Sequence, residues 1–111
     1  SGFVGRADDV IKSAGHLLGP FEVESALMEH PAVAEAGVIG KPDPVAMEIV
    51  KAFVVLNEGV PRDASTAKLL QDFVKAEIAP YKYPRAVEFR DSLPRTETGK
   101  LQRFRLREES A

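Results

Sequence analysis

The residues that the chain lacks, or has few of, exclude several kinds of functional site. Cysteine is absent, which excludes disulfides, thiolate metal sites and cysteine nucleophiles. The two histidines, His16 and His30, are too few for a histidine-based metal site unless carboxylates lie beside them. No apolar run approaches the roughly 20 residues of a membrane span, and the first residues lack the pattern of a signal peptide. We therefore expect a cytoplasmic protein with no metal site in this chain.

Neither sign of charge dominates. The 15 lysines and arginines stand against 17 aspartates and glutamates, which gives a formal net charge of −2. That balance gives no electrostatic reason to expect nucleic acid or an anionic membrane as a partner. The length of 111 residues and the hydrophobic share of 44% are typical of a single globular domain. Because the chain opens on the apolar pair Phe3-Val4 directly after Ser1-Gly2, we expect a domain cut from a longer protein.

The pattern of apolar residues and turn signals predicts an α+β fold. The predicted elements are, in chain order, a hairpin over 3–15 that turns at 6–8, a helix from Gly19-Pro20 to His30, strands at 32–40 and 49–56 with a proline-containing loop between them, a helix from Asp63 or Ser65 to about Ala79, a strand around Val87 and Phe89, and a helix over 101–108. We expect an N-terminal hairpin plus a small, mostly antiparallel three-stranded sheet flanked by helices.

The stretch "PRTETGKLQR" places Lys100 directly after a glycine in a segment too polar for a core. A Walker phosphate loop is excluded, because Pro94 stands where the pattern needs its first glycine and Leu101 where it needs serine or threonine. Two interpretations remain. Lys100 is either a solvated residue at the start of a helix or a mobile positive charge that Gly99 helps to bring close to a partner.

Two other stretches combine charged and aromatic residues. In "GRADDVIKSAGHLLGPFEVE", a predicted turn brings together Arg6, Asp8 and Asp9, and the simplest interpretation is that they form salt bridges within that turn. His16, further along the same stretch, is expected in a partly buried loop. In "APYKYPRAVEF", the side chains suited to an adenine ring and phosphates are Tyr81, Lys82, Tyr83 and Arg85. The alternative for this loop is a rigid, proline-framed segment that packs its tyrosines on the sheet.

These stretches, taken in order, resemble a known family. "GRADDVIKSAGHLLGPFEVESAL", "HPAVAEAGVIGKPDPV", "KAFVVL", "APYKYPRAVEF" and "LPRTETGKLQR" resemble the C-terminal lid domain of the adenylate-forming acyl-CoA synthetases, from about Phe3 to Arg107. The segments "YKYPR" and "LPRTETGK" are most similar to those of the medium-chain acyl-CoA synthetases. The resemblance implies that residues 1–111 are the lid of a longer enzyme, inactive without its large N-terminal domain.

The resemblance also implies a reaction and its substrates. Such enzymes join ATP and a carboxylic acid, here expected to be a fatty acid, as acyl-AMP, and CoA then displaces AMP to give a thioester. The lid presents a different face to the active site in each step. The implied partners are the N-terminal domain of the same chain, ATP or AMP, CoA and the acid. Mg²⁺ is expected with ATP, bound outside this domain.

By resemblance, individual residues take the following roles. Lys100 is expected to reach into the active site for adenylation, Arg6 to contact the nucleotide, and Asp8 to be the hinge of the lid. The hairpin over 9–16 is expected to swing in for thioester formation. The residues expected to contact CoA are Ala14, Gly15 and His16 along the pantetheine, and Lys75, Tyr83, Pro84 and Arg85 near the nucleotide.

The chain departs from the family pattern at two positions. Leu17 stands where many relatives have an arginine near the nucleotide phosphate, and Ala46 where the medium-chain enzymes have a polar residue at CoA. Both departures remove groups that would face phosphates, which puts the affinity for ATP or CoA in question. Two other functions remain open: the lid of an enzyme that loads a carrier protein, and a stand-alone binding module without catalysis.

Overall fold

The structure is a computed structural model that describes residues 9–110. Within this range there are five strands and three α-helices, whose bounds are β1 Ile11–Ser13, β2 His16–Leu18, α1 Pro20–Met28, β3 Val33–Asp43, β4 Met47–Leu56, α2 Ala64–Glu77, β5 Ala86–Phe89 and α3 Arg103–Glu109. A short 3₁₀ turn at Pro80–Lys82 lies between α2 and β5. This element order confirms the predicted α+β class.

Strand β4 is the centre of the sheet. It pairs antiparallel with β3 along its whole length, from Met47 opposite Asp43 to Leu56 opposite Val33. Because β3 occupies one edge of β4, the other edge is shared by β5, which runs parallel to β4, and by β1. The sheet is thus mostly antiparallel, as predicted, but the hairpin belongs to it and raises the described strands from three to five.

The hairpin differs from its prediction. The turn predicted at residues 6–8 lies outside the described residues, whereas the described hairpin turns at Ala14 and Gly15 and has a second strand that was not predicted. Both turn residues have positive φ, 51° for Ala14 and 83° for Gly15. Positive φ at both central positions is the two-residue turn that matches the twist of paired strands. His16 is therefore an exposed strand residue and not part of a partly buried loop.

Each face of the sheet has its own apolar core. On one face, side chains such as Val38, Ala52 and Val54 pack with residues of α1 and α2. On the other face, Ile39 and Phe53 pack with Leu93 and with Leu106 of α3, all at most 7% exposed. The sheet therefore lies between a helical pair and the single C-terminal helix, an arrangement that alternating side-chain direction along a strand allows.

Several predicted boundaries move for local reasons. The loop "KPDPVAME" shrinks to residues 44–46, because the Asp43 carboxylate accepts the backbone N–H groups of Val45 and Ala46 and closes a tight turn. Helix α1 ends at Met28, two residues before the predicted end. Helix α2 begins after Asp63, whose side chain accepts the Thr66 N–H as a cap.

The last helix begins at Arg103 and not at residue 101. Leu101 forms an antiparallel bridge with Arg95, and the Gln102 N–H donates to the Pro94 carbonyl, so both residues belong to a hairpin-like loop. Because the backbone groups of these two residues are hydrogen-bonded within the loop, the helix begins only at the next residue. The segment around Lys100 is thus a closed loop followed by a helix.

A buried ionic network attaches α3 to the rest of the domain. The Arg103 guanidinium donates to both carboxylate oxygens of Glu24, at 3.0 and 2.6 Å, and the Glu24 Oε2 also accepts the Val38 N–H. Asp9 accepts from Arg107 at 2.9 Å and lies 3.8 Å from Arg103. Asp9 was predicted only as part of a local turn, and no tertiary contact was predicted for Glu24. Both carboxylates instead hold the C-terminal helix.

Candidate functional site

Lys100 lies in a short loop that is closed by its own backbone. We call residues 95–101 the lysine loop. The Thr96 N–H donates to the Lys100 carbonyl at 2.9 Å, and the Lys100 N–H donates to the Thr96 hydroxyl oxygen at 3.0 Å. Gly99, with φ of 86°, makes the reversal between them, and its N–H donates to the Thr96 carbonyl. The backbone of Lys100 is thus fixed while its side chain is exposed, and no described side chain pairs with its ammonium group.

Besides the apolar packing of Leu101 on the core, one polar side chain joins the lysine loop to the sheet. The Arg95 Nε and Nη2 atoms both lie 2.9 Å from Glu35 Oε1, near the start of β3. The Arg95 Nη1 atom donates to the Gly99 carbonyl at 2.9 Å. A single guanidinium therefore holds both the strand and the residue before Lys100.

The hairpin tip, which we define as residues 14–16, is the second candidate region. The Ala14 N–H donates to the Ala46 carbonyl at 3.0 Å, so the tip rests on the turn between β3 and β4. A Cβ atom built on Gly15 would have no heavy atom within 4 Å. The space beside the tip is therefore open, and a ligand could approach the backbone closely there.

The third candidate region is the aromatic loop, residues 80–85. Lys75 of α2 places its ammonium 4.2 Å from the centroid of the Tyr83 ring. Arg85 is exposed, and its N–H donates to the Val50 carbonyl of β4. Pro84 is fully buried, so its ring presents no surface to a ligand. Tyr83 packs partly against the core, which agrees with the alternative of tyrosines packed on the sheet. Tyr81 is half exposed, which agrees with the alternative of a ring available to a ligand.

The hairpin tip and the aromatic loop meet through a pair of rings. His16 and Tyr81 stack with centroids 4.0 Å apart and an interplanar angle of 17°. Lys82 of the same loop pairs with Glu22 of α1, and this pairing raises the pKa of Lys82 above its ordinary value. The structure thus brings together the two stretches for which CoA contacts were predicted. Tyr81 was noted for its chemistry, but its contact with His16 was not visible in the sequence.

The lysine loop lies at the other end of the sheet from the hairpin tip. It is tied to Glu35 near the start of β3, whereas the tip rests on the turn that follows Asp43 at the end of β3. The eight residue-to-residue steps from Glu35 to Asp43 along the extended strand span about 26 Å. The structure therefore does not bring Lys100 to the predicted CoA residues, and the domain has two separate candidate surfaces.

The two departures from the family pattern have different environments. Leu17 is 70% exposed on β2, whereas Ala46 is only 8% exposed. A side chain at 17 can therefore meet a ligand or another domain, while the Ala46 methyl lies largely inside the turn that supports the hairpin tip. Arg6 and Asp8, the predicted nucleotide contact and hinge, lie outside the described residues.

The described part of the chain offers little for a metal ion or a bilayer. Residues 9–110 contain no group of three or more histidine, aspartate or glutamate side chains placed to hold a metal. Among the same residues, no helix combines the length and the apolar character that crossing a membrane requires. The expectation that Mg²⁺ binds with ATP on another domain stays a prediction.

Comparison with known proteins gives consistent matches. Residues 22–100 match the model of the AMP-binding enzyme C-terminal domain. The chain is 58% identical over 110 residues to acyl-coenzyme A synthetase ACSM4, mitochondrial, of Rattus norvegicus, covering 96% of this chain and 19% of that protein. It is 52% identical over 105 residues to 4-hydroxybutyrate--CoA ligase 1 of Metallosphaera sedula, covering 95% of this chain and 19% of that protein.

A solved structure agrees with these relatives. The crystal structure of the Brucella canis acyl-CoA synthetase matches with a TM-score of 0.91 and 52% identity, over 97% of this chain and 20% of that one. The chain thus spans about one fifth of the length of the proteins it matches. The resemblance indicated by the sequence is confirmed, and the chain belongs to the AMP-binding enzyme C-terminal domain family.

Proposed function

We propose that this domain is an alternating lid that serves the two half-reactions of an acid–CoA ligase with two different surfaces. The lysine loop serves formation of acyl-AMP from a carboxylic acid and ATP. The hairpin tip and the aromatic loop serve transfer of the acyl group to CoA. The observation that supports this division is the separation of the two surfaces, at opposite ends of β3.

Lys100 suits the first half-reaction for electrostatic reasons. A carboxylate and the α-phosphate of ATP are both anionic, and negative charge is rearranged on phosphorus when they react. A positioned ammonium offsets this repulsion and stabilises the transition state. Because the Lys100 backbone is fixed and its side chain is exposed, the ammonium can extend from this domain into a site on another one.

The second surface suits CoA, which combines a thin pantetheine arm with several phosphates. The open space beside Gly15 accommodates the arm next to the backbone. Lys75 and Arg85 supply positive charge for phosphate, and the exposed face of the aromatic loop can stack on adenine. Pro84 would act by shaping this loop, since its ring is buried.

The remaining parts of the function lie with the longer protein. The partner is an N-terminal domain of the same chain, consistent with relatives about five times as long, and Arg6 and Asp8 are the proposed nucleotide contact and hinge. ATP, CoA and the acid are the proposed substrates, and Mg²⁺ accompanies ATP outside this domain. Two relatives at 52% and 54% identity are named for different acids, 4-hydroxybutyrate and acetate, which favours an acid pocket outside the lid. The cytoplasm stays the predicted compartment, although the rat relative is named as mitochondrial.

The experiment compares Lys100→Ala with the unmodified full-length protein in separate half-reactions. One assay measures acid-dependent exchange of pyrophosphate into ATP, and the other measures thioester formation from prepared acyl-AMP and CoA. We expect the exchange to fall by at least about 100-fold, a typical loss for one electrostatic stabiliser, with thioester formation within about twofold. Lys68→Ala, which removes an exposed lysine of α2, is the matched control and should leave both assays unchanged.

The same assays separate the alternatives. If both half-reactions lose activity equally, the lid does not alternate between two surfaces. Normal exchange without thioester formation on CoA, but with transfer to a carrier protein, would identify a carrier-loading enzyme. Absence of both activities in the unmodified full-length protein would support a binding module.

A further inference from the structure

We propose that Arg95 is the positioning residue for Lys100, acting as a brace between the lysine loop and strand β3. This inference rests on the proposed function, because it assumes that Lys100 serves adenylation. Arg95 makes three contacts through one planar group: two to Glu35 Oε1 and one to the Gly99 carbonyl, each at 2.9 Å. A guanidinium can hold two acceptors in fixed geometry, because its donors form a rigid fork.

The contact with Gly99 controls the direction in which Lys100 leaves the loop. Gly99 has a φ of 86°, and its peptide bond to Lys100 carries the carbonyl that Arg95 holds. Rotation of that peptide would turn the Lys100 N–H away from the Thr96 hydroxyl, which it now meets at 3.0 Å. Because glycine has little steric preference of its own, the orientation of this peptide depends on the contacts at its two ends, the Lys100 N–H on Thr96 and the Gly99 carbonyl on Arg95.

The contact with Glu35 gives the loop a fixed base. Within the loop, the hydrogen bonds join residues only a few positions apart, so they shape the loop without orienting it on the domain. The Arg95–Leu101 backbone bridge is likewise internal, whereas the Leu101 side chain packs against the core and gives the loop an apolar contact with the sheet that has no fixed hydrogen-bond direction. Glu35 is on β3, sixty residues earlier in the sequence, and the register of β3 with β4 shifts between Val33 and Glu35. Arg95 therefore joins the loop to the sheet at an irregular position where a strand side chain can be re-aimed.

The brace is distinct from the electrostatic role of Lys100. Arg95 uses three donors within the domain, whereas no described side chain pairs with the Lys100 ammonium. Arg95 should consequently affect catalysis only through the position of Lys100. A misplacement of about 1 Å can cost about 100-fold in rate, so a loop without its brace should lose at least about tenfold.

The test is a double-mutant cycle in the full-length protein, with the two half-reactions assayed separately. Arg95→Ala should lower acid-dependent pyrophosphate exchange at least tenfold, mainly in kcat, and leave thioester formation from acyl-AMP within twofold. Arg95→Lys keeps the positive charge but lacks the rigid planar fork, so it should show a smaller loss. In a Lys100→Ala background, Arg95→Ala should cause no further loss.

Hydrogen exchange of the peptide that covers residues 94–102 gives an independent readout. Arg95→Ala should speed exchange in this peptide, Glu35→Gln should do so less, and Arg62→Ala should not, because Arg62 pairs with Asp91 elsewhere on the surface. If Arg95→Ala is unstable as full-length protein, the same comparisons are made with Arg95→Lys and Glu35→Gln.

The outcomes distinguish this inference from the proposed function. An equal loss from Arg95→Ala with and without Lys100 would mean that Arg95 acts independently, and it would overturn the brace. Unchanged pyrophosphate exchange in Arg95→Ala, with exchange abolished in Lys100→Ala, would also overturn it while the proposed function stands. If Lys100→Ala itself has no effect on exchange, the proposed function fails first.

Discussion

The lysine loop and the hairpin tip position their candidate residues by different means. The lysine loop is closed by contacts among residues 95–101, and two of its own side chains attach it to the sheet: Arg95 through an ion pair and Leu101 through apolar packing. The hairpin tip is a two-residue turn whose position depends on other segments, with Ala46 below it and Tyr81 stacked beside it. One region therefore holds a single charge in place, and the other is a composite surface built from three parts of the chain.

This difference matches the chemistry proposed for each region. A lysine that stabilises charge in a transition state must be placed accurately, which favours a short loop with many internal hydrogen bonds. CoA is long and flexible, so a surface that receives it needs several spaced contacts and open space more than one exact position. Substitutions that act on both regions, on one of them, or on the contacts between segments test this difference.

The largest effect should come from the buried ion pair between α3 and α1, because it stabilises the domain that carries both regions. Arg103→Ala leaves the Glu24 carboxylate, only about 10% exposed, without its bidentate partner. Breaking a buried ion pair typically costs about 3–5 kcal/mol, so the free energy of unfolding should fall by that order in urea titrations. The rates of both half-reactions should fall by the same factor under conditions in which the variant domain unfolds. Arg62→Ala, which removes an exposed ion pair, is the control and should have little effect; an equal loss there would contradict this role of the buried pair.

A second prediction uses glycines with the same backbone conformation. Gly15, Gly99 and Gly59 have φ of 83°, 86° and 87°, and a Cβ on any of them would meet no heavy atom within 4 Å. Replacement by alanine should therefore cost each a similar backbone strain, about 1–2 kcal/mol. Gly15→Ala should slow only thioester formation and Gly99→Ala only pyrophosphate exchange, each by about tenfold.

Gly59→Ala is the matched control for both, because Gly59 lies in the turn after β4, outside the two regions. It should lose stability to the same extent and change neither half-reaction. If Gly15→Ala and Gly99→Ala impair the same half-reaction, the division of the domain into two functional surfaces is wrong.

A third prediction concerns the stack that joins the hairpin tip to the aromatic loop. Tyr81→Ala removes the ring on which His16 stacks, while Tyr81→Phe keeps the ring and removes only the hydroxyl. An aromatic pair contributes about 0.5–1.5 kcal/mol beyond its buried area, which corresponds to roughly two- to tenfold. We expect Tyr81→Ala to raise KM for CoA by this factor and Tyr81→Phe to keep the KM of the unmodified protein. Equal KM values for the two variants would show that the stack does not position the tip.

The sequence predicted the lysine loop better than the hairpin tip, for a physical reason. The contacts that shape the lysine loop join residues at most six positions apart, so the motif around Gly99 and Lys100 contains most of its own geometry. The tip depends on Ala46 and Tyr81, which lie 32 and 65 positions from Ala14 and His16, respectively. No pattern among neighbouring residues predicts such partners.

The same distinction explains the errors in the fold. Periodicity predicted the apolar strands β3 and β4 and the helix capped by Asp63, because each depends on its own residues. It missed β2 and assigned Asp9 to a local turn, although Asp9 pairs with Arg107, 98 positions away. Strand register and ion pairing are set by tertiary contacts between residues far apart in the sequence. Local patterns in a single sequence do not identify such partners; only resemblance to a known family can.

The smallest predicted effect is a dependence on pH at the turn that supports the hairpin tip. Backbone N–H groups of Ala46 and Val45 donate to Asp43 and hold the pKa of its carboxyl below the ordinary value. A lowered pKa means that Asp43 adds stability above the ordinary aspartate value of about 3.9, and that this stability is lost as pH falls through the native pKa. The stability difference between the unmodified domain and Asp43→Asn should therefore be larger at pH 6 than at pH 3 in urea titrations.

Hydrogen exchange should show that this dependence is local to the tip. Because the Ala46 carbonyl accepts the Ala14 N–H, loosening the turn should speed exchange in the peptide that covers residues 11–18. Asp72 also has a lowered pKa, caused by its hydrogen bond with Lys68 on α2, so Asp72→Asn is a control with the same sign at a distant place. If Asp72→Asn speeds exchange at residues 11–18 as much as Asp43→Asn does, acid acts on the whole domain. The tip would then be no more dependent on its neighbours than the lysine loop is.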